Sequence, residues 1–228
     1  MFEEEAKAVQ EASKAVVKVT DAAQQSGSFI AKFISGSLEQ GVGIFEDKLK
    51  YIRFERQMRL MKKTQSLLVE YGLHAPDKAI PLKIAIPIFQ AATMEEDDFL
   101  QDQWANLLIN ASSSQFEQEV KRVHISILEN LSSLDAHILN LIYSIPLDEG
   151  SATRIATTSL PERVFIANDN NRYEKKLPKE IILSLSNLTR LGCIEPLSTY
   201  GGGAYFYEVL PTELGRDFVR ACQLQQKN

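Results

Sequence analysis

PKEIILSLSNLTRLGCIEPLSTYGGGAYFYEVLPTELGRDFVRAC, residues 178–222, changes its hydrophobic period twice. From Pro178 to Leu191 the apolar residues recur at helical spacing, with Ile181, Ile182, Leu185 and Leu188 on one side. After Gly192 come a short apolar run, CIEPL, the turn STYGGGA and the alternating segment YFYEVL, which together predict two antiparallel strands. PTELGRDFVRAC then returns to helical spacing. The order is helix, hairpin, helix. A phosphate-binding loop needs glycine between a strand and a helix whose N-terminus faces the anion. Glycines 201, 202 and 203 stand between two strands and read as the tip of the hairpin.

Upstream, the chain reads as helices. Val9, Ala12, Val16, Val19 and Ala23 recur at spacings of three and four, a seam too short for a self-sufficient coiled coil but able to pack between subunits, so a homo-oligomer is expected. Ser26-Gly27-Ser28 breaks it, and a short amphipathic helix carrying Phe29, Ile30, Phe33 and Ile34 leads into a glycine-broken connection. Asp47 to Tyr71 predicts a long helix closed by Gly72. The next helix starts near Pro81, and Pro87 kinks or restarts it. Thr93 with Glu96 fits a capping box for the helix of FLQDQWANLLINA, where Trp104, Leu107 and Leu108 read as core. Another helix is expected from Phe116 to Asn130, and Ser132 with Asp135 fits a second capping box before LDAHILNLIYSI, which Pro146 ends. Residues 147–177 are polar, with a loop tip at Asn168 to Asn171. The expected organisation is N-terminal helices over 1–46, a helical core over 47–146, a polar connector over 147–177 and a small α+β module over 178–228, giving a mainly α fold.

Composition narrows the function. A net charge of −5 argues against attraction of the whole molecule to nucleic acid, so any basic surface is local. Two cysteines, Cys193 and Cys222, are too few for a disulfide framework or a structural zinc site, which points to a reducing, cytoplasmic location. The acidic opening MFEEEAKAVQ lacks the basic start and apolar run of a secretory signal, and no apolar segment reaches the roughly 18 residues of a membrane span. His74, His124 and His137 are scattered and match no metal or catalytic signature. His124 and His137 are expected on helix surfaces or satisfying local backbone groups. Glu95 to Asp98 with Asp102 gather acids at a helix start, where they complement the helix dipole instead of converging on one ion. No enzyme activity and no cofactor are expected.

Two candidate surfaces remain. Lys48 to Lys63 holds seven bases and one acid, a net charge of +6. It follows the apolar segment from Phe29 to Phe45, and that juxtaposition is the pattern of an interfacial anchor. Phe29, Phe33, Arg56, Arg59, Lys62 and Lys63 are therefore candidate contacts for an anionic membrane surface. The competing account buries the apolar segment and leaves the bases solvated or facing Glu95 to Asp98. On the helix from Pro178, Lys179, Ser186, Asn187 and Arg190 face outward as candidate contacts for a protein partner or DNA. The hairpin tip from Ser198 to Ala204 has no Lys or Arg, although phosphate contacts supply most of the affinity of DNA-binding modules of this order. A protein partner is therefore expected ahead of DNA.

The spelling LSNLTRLGCIEPL…YFYEVLPTELGRDFV resembles the end of many bacterial winged helices. DKLKYIRFERQMRLMKKTQSLLVEYGL, IPLKIAIPIFQAATMEEDDFLQDQWANLLINAS and HISILENLSSLDAHIL together resemble the Abi-alpha family of bacterial abortive-infection proteins. That resemblance implies a role in defence against phage and brings no catalytic residues with it. It points to an interaction protein that engages the membrane surface or another defence protein, with a DNA-binding regulator as the alternative.

Overall fold

The computed structural model describes residues 28–34, 54–73, 76–146, 153–168, 176–198 and 202–224. The helices among them are α1 (28–34), α2 (Phe54–Glu70), α3 (Leu82–Met94), α4 (Asp98–Ala111), α5 (Arg122–Glu129), α6 (Ser133–Ser144), α7 (Lys179–Arg190) and α8 (Glu213–Ala221). The strands are β1 (Ile155–Ala156), β2 (Phe165–Ile166), β3 (Ile194–Ser198) and β4 (Ala204–Pro211). The chain is mainly α with a small α+β end, as its periodicities predict. The seam from Val9 to Ala23, the apolar residues Val42, Ile44 and Phe45, the bases Lys48, Lys50 and Arg53, and His74 lie outside the described residues. By internal packing the chain divides into two units, Met1–Glu95 with Ala105–Glu119 and Gln225–Asn228, and Glu96–Trp104 with Val120–Leu224.

In the first unit an aromatic cluster anchors α1. Phe29 and Phe33 meet Phe89 of α3 edge-on, with ring centroids 6.3 and 6.2 Å apart. Phe33 also accepts a backbone hydrogen bond at its carbonyl from Ile80 at 2.8 Å. Leu60, Met61 and Thr64 of α2 are buried, and the Thr64 hydroxyl donates back to the Leu60 carbonyl at 2.8 Å. Beyond α2 the Leu73 amide reaches the Leu68 carbonyl at 2.8 Å and the Gly72 amide reaches Val69 at 3.2 Å, around the left-handed Gly72 at φ 63°. This closure satisfies the last carbonyls of the helix, and glycine adopts its conformation without a Cβ penalty. α3 follows Pro81 and continues through Pro87, burying Ile84, Ala85, Ile88, Phe89, Ala92 and Thr93. Its apolar face holds it together across the one missing donor.

The capping box expected at Thr93 and Glu96 is corrected. Thr93 is buried in the last turn of α3, where its hydroxyl donates to the Phe89 carbonyl at 2.7 Å. Asp97 caps α4 instead, its Oδ1 accepting from the Leu100 amide at 3.0 Å.

In the second unit the box at Ser132 and Asp135 forms as expected. The Ser132 hydroxyl accepts from the Asp135 amide at 3.2 Å, and Asp135 Oδ2 accepts from the Ser132 amide at 2.9 Å. α5 begins at Arg122, later than the sequence suggested. α7 turns Ile181, Ser184, Leu185 and Leu188 inward and closes on Gly192 at φ 73°, with the Cys193 amide on the Leu188 carbonyl at 2.9 Å.

The sheet is antiparallel in the order β2-β1-β4-β3. β3 and β4 are the expected hairpin, and β1 adds to the other side of β4 with Ile155 opposite Val209, both fully buried. Pro196 is tolerated because β3 is an edge strand, and the register shifts between Pro196 and Leu197. β1 and β2 lie within 147–177, the stretch expected to be a polar connector.

Candidate functional site

The described part of the expected apolar membrane face, Phe29 to Ile34, is largely buried. Phe29 and Phe33 are 6% and 1% exposed, packed with Ile30 and Ile34 in the core of the first unit. Their expected outward placement is corrected, because the cluster with Phe89 buries more apolar area than a solvent-facing helix could. The four bases are on α2. Lys62 is exposed and Arg59 and Lys63 are half-buried. The Arg56 guanidinium donates to the carbonyl of Met94 at 2.9 Å, a cation at the negative end of α3.

The candidates on α7 divide. At 100° per residue, Lys179, Leu183, Ser186 and Arg190 lie within about 60° of one another on the helix. Lys179 and Arg190 are exposed and Leu183 is 60% exposed, while Ser186 is half-buried and donates to the Ile182 carbonyl at 2.7 Å. Asn187 sits at the side of this stripe and is engaged within the chain. Its amide nitrogen donates to the Asn130 carbonyl at 2.8 Å and to Asp135 Oδ2 at 3.0 Å. Its oxygen accepts from Arg190 Nη2 at 2.8 Å and Nε at 3.1 Å. Asp135 is the centre of this arrangement. Buried at the start of α6, it accepts from the Ser132 amide, from Asn187 and from the Ser184 hydroxyl, so the carboxylate is surrounded by donors.

Two other polar clusters hold this unit together. The Tyr143 hydroxyl of α6 accepts from the Thr212 amide at 2.8 Å and faces the carbonyls of Cys193 at 2.7 Å and Thr212 at 2.9 Å. Thr212 also caps α8, accepting from the Gly215 amide at 3.0 Å and donating to the Gly192 carbonyl at 2.6 Å. Burial pushes the Tyr143 phenol up to about 12 and the Cys193 thiol to about 12, and it raises Cys222 as well. None of these groups ionises near neutrality.

The other cluster surrounds His124. Its side chain is fully buried, with Nε2 3.0 Å from Asp217 Oδ2 and Nδ1 accepting from the Lys121 amide at 3.3 Å. A ring nitrogen that accepts an N–H bond carries no proton, so Nε2 carries it and donates to Asp217. Lys121 Nζ reaches the same carboxylate oxygen at 3.2 Å. Burial holds His124 below its ordinary range despite the neighbouring carboxylate. His137, by contrast, is exposed with Nε2 2.9 Å from the Pro161 carbonyl. Among the described residues, no three His, Cys, Asp or Glu side chains stand together as a metal-ligand set. Nor is any helix among them long and apolar enough to cross a membrane.

A family model described as abortive infection alpha matches residues 55–222. The chain belongs to the abortive infection alpha family. No curated protein and no solved structure matches it. The match runs from the first turn of α2 to the end of α8, so the stripe on α7 and both polar clusters lie inside the abortive infection alpha region, whereas Phe29 and Phe33 lie before it. Sequence reasoning had named Lys179, Ser186, Asn187 and Arg190 and had missed Leu183, the apolar member of the same stripe. The signal was available, since Leu183 is on the opposite side of the helix from Leu185 and Leu188. Asp217, Tyr143 and Gly215 gave no such signal, because Asp217 and Tyr143 bond to groups 50 to 96 residues away in the chain and Gly215 packs against Tyr143.

Proposed function

We propose that this protein is a non-enzymatic interaction protein of phage defence, acting in the cytoplasm, and that it docks an acidic protein partner on the exposed stripe of α7. The observation that carries the reading is Leu183, 60% exposed between two exposed cations on one helix face. Lys179 and Arg190 are eleven residues apart, a span of about 16 Å along the axis. A segment with an apolar side chain flanked by carboxylates matches that spacing and charge.

Other readings fit less well. A DNA reader presents polar groups to base edges, whereas Asn187 is bonded to Asn130 and Asp135, Leu183 occupies the middle of the face, and the hairpin tip has no base. Burial of Phe29 and Phe33 removes from the membrane reading the two aromatic anchors it named.

The test is phage challenge of cells carrying K179E, L183D or both. Neither side chain supports the core, so circular dichroism and melting temperature should match the wild type. Protection is expected to fall at least about tenfold with the double variant, the loss of roughly 1.4 kcal/mol or more of docking energy. Full protection by a folded double variant contradicts the proposal. Protein that shifts duplex DNA in a salt-sensitive way, lost on K179E, would favour the regulator instead.

A further inference from the structure

The bonds around His124 have a consequence independent of docking. Its ring fits only one protonation state: Nδ1 must accept from the Lys121 amide, and Nε2 must donate to Asp217 on α8. A second proton would sit on Nδ1, facing an N–H donor at the positive end of α5, and the Lys121 cap would be lost. The charged groups that face His124 are Lys121 at the N-cap of its own helix and Asp217 on α8. Lys121 already lies 3.2 Å from the carboxylate, so an imidazolium would share that anion with an ammonium while buried away from water.

We infer that Lys121, His124 and Asp217 form a pH-sensitive clasp between α5 and α8, closed while His124 is neutral and opened by acidification. Release of α8 would uncover Phe218, Val219 and Cys222, all buried at its inner face and end. Burial favours the neutral ring and so opposes protonation until the pH falls below the ordinary histidine range. The state that accepts the proton is then the open one.

Cys222 provides the readout. With Cys193 replaced by serine, the labelling rate of Cys222 by dithiodipyridine is measured across pH and divided by the rate in urea at the same pH, which removes the intrinsic titration of the thiol. The normalised rate is expected to rise at least about tenfold between roughly pH 7.5 and 5, following the linkage of one proton to opening. H124Q, which keeps one donor and one acceptor but does not titrate, should flatten the profile. A flat wild-type profile, or the same rise in folded H124Q, overturns the clasp. Should H124Q fail to fold, long-range proton–nitrogen spectra of the wild-type ring decide the matter. A neutral ring with its proton on Nε2 that becomes imidazolium in step with Cys222 exposure supports it, and an imidazolium already present at neutral pH, or exposure that precedes protonation, overturns it.

Discussion

Among Gly192, Gly202 and Gly215 of the second unit, Gly215 has the tightest surroundings. A Cβ there would lie 2.2 Å from the Tyr143 hydroxyl and 2.3 Å from the Cys193 carbonyl. Both atoms belong to the same hydrogen-bonded knot and neither can withdraw, so Gly215→Ala should cost at least about 2 kcal/mol in denaturant unfolding. Tyr143→Phe removes the acceptor of the Thr212 amide and a donor to two carbonyls, and should cost about 1–3 kcal/mol. The two changes share a partner, so G215A should cost less in the Y143F background than alone, a coupling that a double-mutant cycle measures directly. The His124 pair makes a separate prediction about pH. His124 is held below its ordinary 6.5, so its contribution to stability is complete above that pH and drains as the pH falls beneath it. Asp217 feels desolvation that raises it, and hydrogen bonds and charge from Lys121 and His124 that together outweigh it and hold it below 3.8, so its share persists above that value and is lost as the pH falls through the folded-state pKa. The melting temperature should therefore decline in two steps on acidification, the first absent in H124Q. At this scale little was legible beforehand. The Ser132 box could be read because its partners are three residues apart, whereas the role of Gly215 depends on a tyrosine 72 positions earlier in the chain.

Helices were predicted well wherever an apolar stripe and a local cap agreed. α6 and α7 began and ended close to their sequence signals, because Ser132, Pro178 and Gly192 act on their immediate neighbours. Gly192 offers the sharpest test of that agreement. At φ 73° and with Leu214 Cδ2 3.2 Å from the position a Cβ would take, Gly192→Ala should cost about 1 kcal/mol or slightly more in thermal or urea unfolding. Thr93 failed as a cap for an equally physical reason. The sequence offers Thr93 and Asp97 within four residues, and the apolar face of α3 needs Phe89 and Ala92 inside, which carries Thr93 into the helix. β1 and β2 escaped prediction because two residues cannot display a period. They are strands through pairing alone, Ile155 with Ile166 and Val209, and only the neighbouring strand reveals them. Phe29 and Phe33 show the same limit from the other direction: an amphipathic segment announces that one face is apolar, and Phe89, 56 residues away from Phe33, determines what covers it.

For the whole molecule, charge and burial separate the surfaces that can act from those that hold the fold together. The net charge of −5 and the hairpin tip without Lys or Arg weigh against nucleic acid as the proposed partner, and Phe29 and Phe33 are buried, away from any membrane surface. Lys121, His124, Asp135, Tyr143 and Asp217 of the second unit are engaged in bonds that join its elements. Lys179, Glu180, Leu183 and Arg190 are outward on α7, inside the region that places the chain in the abortive infection alpha family. The most direct measurement of the docking proposal is site-specific photo-crosslinking during phage infection, with the photoreactive residue at position 183 and, as a control, at exposed Glu129 on α5. The account predicts one acidic protein crosslinked at 183, lost on K179E and absent from 129; the same product from both positions, its persistence in K179E, or no protein product from 183 would contradict it.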